Sequence, residues 1–304
     1  MKHLVVIAGP TAIGKTAAAI VLAQHYQTEI ISADSRQFFR EMSIGTAKPS
    51  PAELAVVKHH FIDSHSIQEL VSVGDFERQG LELLNELYQK HDVVIMAGGS
   101  GLYIKAICEG FDDLPTAEPG IREKLNAQLT EHGIGYLQEQ LKAADPIYFE
   151  QVDQHNPQRL IRALEVFEST GKPYSSYRKG SQQQRPFNII KIGLDIPREQ
   201  LYERINHRVD MMVAQGLLDE VKSLLSHRHL NALNTVGYSE IFDYLDGKID
   251  LNEAIETIKQ NTRRFAKRQL TWFRKDTGIQ WFQPADIEGM LAYIDTKLAE
   301  QPAF

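Results

Sequence analysis

Residues 9–16 read Gly9-Pro10-Thr11-Ala12-Ile13-Gly14-Lys15-Thr16, a complete G-x-x-x-x-G-K-T spacing, and these residue types at these intervals suit the binding of phosphate groups. Gly9 and Gly14 let backbone N–H groups approach anionic oxygens closely. Lys15 can reach a terminal phosphate as a point charge, and Thr16 carries the hydroxyl that ordinarily ligates Mg2+. Such a loop functions only between a buried strand and a helix start, where the first backbone donors lack internal partners. Both flanks qualify: Leu4-Val5-Val6-Ile7-Ala8 precedes the loop, and Ala17-Ala18-Ala19-Ile20-Val21-Leu22-Ala23 follows Thr16. The segment is expected to hold a phosphorylated ligand, with magnesium at Thr16.

Two further groups of residues follow β-like runs. Asp34-Ser35-Arg36-Gln37 comes directly after Glu29-Ile30-Ile31-Ser32-Ala33. A carboxylate there can act as a general base, or it can simply cap the next turn. Gly98-Gly99-Ser100-Gly101-Leu102-Tyr103 follows the apolar run at 93–97. Hydrolysing P-loop enzymes usually place a magnesium-positioning Asp at the end of such a strand; this chain has glycines and the Ser100 hydroxyl, which let a ligand come close to the backbone.

Short β-like runs at 4–8, 29–33, 93–97 and 189–196 alternate with helical stretches such as 76–89 and 198–213. That alternation predicts an α/β fold, a P-loop-containing parallel sheet covered by helices, whose ligands bind at the carboxyl ends of the strands. Between residues 112 and 185 the strand pattern stops, and helical patterns run over 121–132, 136–144 and 158–170, punctuated by Pro119, Pro146, Pro157 and Pro173. We read 112–185 as a helical insertion domain ending in a polar loop at 175–184, and residues 1–111 with 186–304 as the catalytic core.

The net charge is −7, yet Arg263, Arg264, Lys267, Arg268, Arg274 and Lys275 are clustered within sixteen residues with no acid among them, from Gln260 to Lys275. Leu251, Ile255, Ile258, Phe265 and Trp272 recur at helical intervals, predicting one amphipathic helix over 250–275. At ~100° per residue, Arg263, Lys267 and Arg274 share the side opposite Ile258. The patch is either a solvated face or an anion-binding surface, and the missing acids favour the second. The single cysteine, Cys108, rules out an internal disulfide and a multi-cysteine zinc site. No apolar run approaches the ~20 residues of a membrane span, and the apolar run after Lys2 is too short for a signal peptide. A cytoplasmic protein without membrane contact is expected.

Taken in order, Gly9–Thr16, Asp34-Ser35-Arg36-Gln37, Gly45-Thr46-Ala47-Lys48-Pro49, His59-His60-Phe61-Ile62-Asp63, the 98–103 turn, RLIRALEV at 159–166, Val236-Gly237-Tyr238 and the 262–272 helix segment resemble the bacterial tRNA dimethylallyltransferases. The resemblance runs from residue 4 to about residue 275. It implies transfer of a dimethylallyl group from dimethylallyl diphosphate to N6 of the adenosine immediately 3′ of the anticodon. The phosphate loop, Gly9 to Thr16, would grip the donor's diphosphate in place of a nucleotide. Lys15, magnesium through Thr16, and Arg208 would stabilise the leaving group, with Arg204 one turn away from Arg208. Asp34 would accept the amine proton while Ser100 steadies the amine or the donor.

The resemblance also implies tRNA contacts. They fall on Asp34, Ser35, Arg36, Gln37 and Ser100, on Arg122, on Gln158, Arg159, Leu160, Ile161 and Arg162, and on Val236, Gly237 and Tyr238. Arg263, Arg264 and Lys267 would hold phosphate backbone. The partner would be a tRNA anticodon stem-loop whose adenosine flips into a channel, and the enzyme would act as a monomer. The family usually has Thr where this chain has Ser100 and often Tyr where it has Phe39. Ser keeps the hydroxyl but loses a methyl that fixes its rotamer. No cysteine–histidine zinc module follows the core, which implies the bacterial type. A small-molecule kinase would share residues 9–16, and a nucleotide switch would use ATP or GTP there. The first leaves the basic helix unexplained, and the second needs the absent strand-end aspartate.

Overall fold

The computed structural model describes residues 1–112, 114–115, 118–178 and 183–300. Among these residues six strands, β1 (His3–Ala8), β2 (Ile30–Ser32), β3 (His59–His60), β4 (Val93–Gly98), β5 (Asn188–Leu194) and β6 (Ile279–Phe282), form one sheet in the order β3-β2-β4-β1-β5-β6. Every pairing is parallel. β1 is buried along its whole length, as expected of a near-continuous apolar strand with helices on both faces. The register sets Ala8 beside Gly98 and Ser32 beside Ala97. The segments that leave β1, β2 and β4 therefore emerge side by side at one edge of the sheet, which brings residues 9–16, 34–37 and 98–103 together.

The helices α1 (Lys15–His25), α2 (Pro51–Val56), α3 (Val73–Leu87) and α4 (Gly101–Glu109) belong to the first half of the sheet. Serine capping boxes start α2, from Ser50 to Glu53, and α3, from Ser72 to Asp75. By contrast, α1 begins at Gly14 with φ +106° and no side-chain cap, so its first donors stay available to a ligand. The helices α5 (Ile121–His132), α6 (Ile134–Ala144), α7 (Pro146–Gln151) and α8 (Pro157–Thr170) intervene before β5. The chain then continues through α9 (Arg198–Ala214), α10 (Leu217–Ser223), α11 (Ser239–Leu245), α12 (Leu251–Phe273) and α13 (Ile287–Ala299). Among the described residues no helix is long and apolar enough to cross a membrane.

The contacts divide the chain into two compact units, Met1–Glu109 with Gln184–Phe304, and Gly110–Gln183. In the first, alternate residues of β1 serve opposite faces: Val5 and Ile7 pack with Ile20 and Leu22 of α1, and Leu4 and Val6 with Phe76 and Leu84 of α3. The second has its own core, around Leu125, Leu137, Leu141, Leu160 and Ile161.

The structure adds two strands that the sequence reading lacks. β3 is a two-residue pairing of polar His59 and His60, and β6 is a short edge strand; neither carries a distinctive periodicity. Pro146, read as punctuation, is the first residue of α7, where Asp145 caps the backbone N–H of Tyr148 at 3.0 Å. Of the expected polar loop at 175–184, Ser175 to Tyr177 belong to a 3-10 turn, and 179–182 lie outside the described residues.

The long helix forms as expected, but its apolar stripe does not run straight. Ile258 is buried, whereas Phe265 is 39% and Trp272 44% exposed. Each seven-residue step falls ~20° short of two full turns. These aromatics therefore drift off the core face, which Ala266, Gln269 and Phe273 occupy instead.

Candidate active site

A cleft of about 470 Å³ opens at the edge where β1, β2 and β4 end, with Thr11, Lys15, Thr16, Asp34, Arg208 and Phe265 in its wall. The phosphate loop forms one side. A Cβ on Gly9 would lie 3.1 Å from the Leu194 carbonyl, Ala12 adopts the left-handed region at φ +62°, and buried Ile13 anchors the loop from beneath. Lys15 Nζ donates to the Pro10 carbonyl at 2.7 Å. Two arginines of α9 brace the same loop. Arg204 donates to the Ile13 carbonyl at 3.0 Å, and Arg208 donates to Thr11 Oγ1 at 3.2 Å and to the Ala47 carbonyl at 3.4 Å.

Lys15 and Arg208 set the electrostatics. Burial, reinforced by the Arg208 charge, holds the Lys15 ammonium down to about 7 against the opposing pull of Asp34. Burial likewise lowers Arg208, with Asp34 resisting. Two desolvated cations facing one carboxylate leave the cleft short of negative charge, and a diphosphate would supply it.

Asp34 caps its turn and also lines the cleft. Its Oδ1 accepts from the backbone N–H groups of Arg36 at 2.9 Å and Gln37 at 3.4 Å. Ser100 supports that turn from β4: Ser35 N–H donates to its Oγ at 3.0 Å, and its own N–H donates to the Ala33 carbonyl at 3.2 Å. The glycines before it are required by close packing, since a Cβ on Gly98 would lie 2.1 Å from the Ala33 carbonyl oxygen.

The neighbouring side chains are held by protein. Gln37 Oε1 accepts from Ser32 Oγ at 3.2 Å, and Gln37 Nε2 donates to the carbonyls of Thr46 at 3.2 Å and Ala47 at 3.1 Å. Arg36 donates to the carbonyls of Asn231 at 3.2 Å and Asn234 at 3.5 Å.

Several residues assigned to tRNA contact sit elsewhere. Tyr238 is wholly buried, and its hydroxyl donates to Glu220 Oε1 at 2.6 Å. The same carboxylate accepts from the N–H groups of Ser43, Ile44 and Gly45 at 3.0, 2.7 and 3.0 Å. Gly45 must be glycine, because a Cβ would meet the Tyr238 ring at 2.5 Å. Val236 packs against the core, and the Gly237 N–H donates to Glu240 Oε2 at 2.8 Å. The 236–238 segment thus holds the 43–48 loop, whose Thr46, Ala47 and Lys48 line the cleft, and its tyrosine offers tRNA no surface. Glu220 had no local motif to mark it.

Leu160 and Ile161 are likewise wholly buried, in the core of the second unit, because α8 turns its apolar face inward. Gln158 and Arg159 are exposed on its first turn. Arg122 forms a two-pronged pair with buried Glu165, through Nε and, at 2.8 Å, through Nη2, and that carboxylate holds the guanidinium above its ordinary range. Arg162 donates to Glu165 Oε2 at 3.5 Å and to the Pro115 carbonyl at 3.4 Å.

The basic helix face is also narrower than expected. Arg263 donates to Asn206 Oδ1 at 2.5 Å and lies over the Tyr202 ring, while Arg274 pairs with Asp195 at 2.6 Å. The partners come from residues far away in sequence, so a count of local acids could not reveal them. Arg264 and Lys267 remain exposed to solvent.

Sequence reasoning also missed Gln269 and placed Phe265 only on the apolar stripe of an amphipathic helix. Gln269 is 7% exposed; its Oε1 accepts from Thr11 N–H and its Nε2 donates to the Gly99 carbonyl, both at 2.9 Å, tying the phosphate loop to the β4 turn. Its signal was available, as an amide on the buried stripe between Ala266 and Phe273 must find partners.

Comparison with known proteins agrees with this geometry. The family model described as IPP transferase matches residues 37–276. A tRNA dimethylallyltransferase of Christiangramia forsetii is 54% identical over 98% of this chain and 99% of its own length, and one of Cytophaga hutchinsonii is 50% identical over 98% of each. Among solved structures, the full-length tRNA isopentenylpyrophosphate transferase of Bacillus halodurans superposes with a TM-score of 0.73 at 39% identity, covering 98% of this chain and 97% of that one. A eukaryotic dimethylallyltransferase acting on tRNA reaches a TM-score of 0.80 at 25% identity, covering 98% and 78%. With the cleft, the parallel sheet and near-complete coverage in agreement, the chain belongs to the IPP transferase family, among the tRNA dimethylallyltransferases.

Proposed function

We propose that the protein transfers the dimethylallyl group of dimethylallyl diphosphate to N6 of the adenosine immediately 3′ of the anticodon of a tRNA, releasing diphosphate and acting as a monomer. The carrying observation is that one cleft contains two desolvated cations, Lys15 and Arg208, at the uncapped α1 N-terminus, which suit a diphosphate, together with a carboxylate, Asp34. The named relatives support the substrate classes.

In the reaction the bond between C1 and the bridging oxygen breaks, N6 attacks C1, and a proton leaves the amine. Lys15, Arg208 and the loop N–H groups stabilise the charge that collects on the departing diphosphate. Asp34 accepts the proton, and Ser100 fixes the turn that presents it. The exposed ring of Phe265 gives the cleft an apolar wall for the allylic chain.

Magnesium fits this donor set. Thr16 lines the cleft with a hydroxyl that makes no hydrogen bond to any described residue, Asp34 in the same wall adds carboxylate oxygens, and among the described residues no three His, Cys, Asp or Glu side chains form a rival metal cluster. Held by Thr16 and the diphosphate's own oxygens, the ion would neutralise the leaving group.

The kinase reading is disfavoured because β4 ends in glycines instead of a magnesium-positioning acid. Diphosphate release from dimethylallyl diphosphate in the presence of an anticodon stem-loop tests the proposal. It should require adenosine 3′ of the anticodon and stop when guanosine replaces it. Phosphoryl transfer from ATP to a small acceptor, with no prenylated adenosine, would overturn it.

A further inference from the structure

The turn after β4 serves two cavities. Gly98 and Gly99 line the candidate active site, whereas Gly101 lines a second cavity of about 370 Å³ that shares no lining residue with the first. Helix α12 is divided in the same way, giving Gln269 to the cleft and Trp272, one turn further on, to the second cavity.

The second cavity combines an apolar interior with unpaired polar groups. Val6, Ala8, Ile104 and Phe273 supply the apolar lining. Trp272 adds a 44% exposed indole whose N–H donates to no group among the described residues. It is set against Gly101, where a Cβ would meet Nε1 at 2.2 Å. Lys191 is held by Asp276 at 2.7 Å and Glu109 at 3.3 Å. Two exposed lysines are different: among the described residues Lys275 makes no ion pair, and Lys105 only approaches Glu109 at 3.9 Å. Cys108 also lines the cavity, but burial pushes its thiol up to about 12, leaving it neutral and unreactive.

An exposed flat π-surface beside cations that lack firm partners is the chemistry that recognises a nucleotide. We propose that this cavity is a second nucleotide site, taking the base against Trp272 and a phosphate at Lys105 and Lys275. The nucleotide could arrive free or as part of the bound RNA. Resting on the function proposed above, the RNA source has a physical motive. Extruding the target adenosine leaves its neighbour without a stacking partner, and the cavity begins one residue after Ser100, where Trp272 can replace that stack.

The chain has two tryptophans, so a full-length Trp281→Phe variant leaves Trp272 as the sole indole reporter. AMP should quench its fluorescence saturably. Adding Lys105→Gln and Lys275→Gln, exposed changes whose effect on folding circular dichroism checks, should abolish the quenching, and Lys15→Ala should leave it intact. A stem-loop abasic beside the target adenosine should quench less than the intact one. In wild-type background, Trp272→Ala should weaken binding of the intact stem-loop by roughly 5- to 150-fold, the value of one base stack.

Quenching by AMP with no difference between the two stem-loops would assign the site to free nucleotide. Absence of saturable quenching, or quenching lost in Lys15→Ala but kept without the two lysines, would overturn the site. Failure of the proposed transferase function would appear separately, as no diphosphate release from the wild-type protein while AMP still quenches.

Discussion

Two groups of cations, one in the cleft and one on α12, look alike in sequence and behave differently in the fold. Lys15 and Arg208 are desolvated, bond to adjacent residues of the phosphate loop, and meet one carboxylate, Asp34. Arg263 of α12 is hydrogen-bonded to Asn206, Arg274 just past the helix is paired with Asp195, and of the proposed phosphate contacts only Arg264 and Lys267 stay exposed. Ligand affinity follows unsatisfied charge held out of water, and the number of cations in a stretch of sequence says little about it.

The sharpest way to break this comparison is at the carboxylate. Asp34→Asn preserves an acceptor for the Arg36 and Gln37 N–H groups but cannot take a proton, so turnover should fall by ~10²–10⁴-fold with the fold and donor binding intact. Single-turnover rates check this, and a near-normal rate would remove the proton-acceptor role. Lys15→Ala should come next, lowering turnover ~10²–10³-fold through lost charge stabilisation while tRNA affinity stays nearly constant. A loss of tRNA binding with normal chemistry would move the phosphate loop to another ligand.

The depressed Lys15 ammonium adds a pH signature of intermediate size. With its pKa near 7 in the free cleft, Lys15 is already charged below that pH and must take up a proton to bind diphosphate above it. Donor affinity should therefore weaken as pH rises past 7, by up to about tenfold per unit, with proton uptake visible in calorimetry across buffers. Lys15→Ala should remove this slope.

On α12 the expected effects are smaller. Arg264→Gln with Lys267→Gln should flatten the salt dependence of tRNA binding by ~0.7–0.9 per lost phosphate contact. Arg263→Gln should leave that slope unchanged and cost at most about 1 kcal/mol of stability in chemical denaturation. A flattened slope in the Arg263 variant would show that its bond to Asn206 opens on tRNA.

How far the site could be read in advance depended on how local each cause is. The phosphate loop was evident because strand, glycines, lysine and helix start are contiguous, and the parallel register then carries residues 34–37 and 98–103 to the same edge. Tyr238 and Glu220 were opaque for the opposite reason. Their task is to hold the 43–45 backbone, nearly two hundred residues away in sequence, and no local pattern encodes a partner at that distance. Phe265 was placed on the apolar stripe by a seven-residue interval, and the drift of that interval against the true helical period is what turned it into the cleft. Gln269 stood in between, since a polar residue on an apolar stripe announces a need for partners without naming them.

The central claim is that the cleft's unsatisfied positive charge serves prenyl transfer to a tRNA adenosine. The most direct measurement is mass spectrometry of nucleosides from tRNA incubated with the protein, dimethylallyl diphosphate and magnesium. The adenosine 3′ of the anticodon should gain one dimethylallyl group with wild-type protein, and almost none with Lys15→Ala or Asp34→Asn. Unmodified adenosine with the wild-type protein, while the donor is bound and the fold intact, would contradict the account.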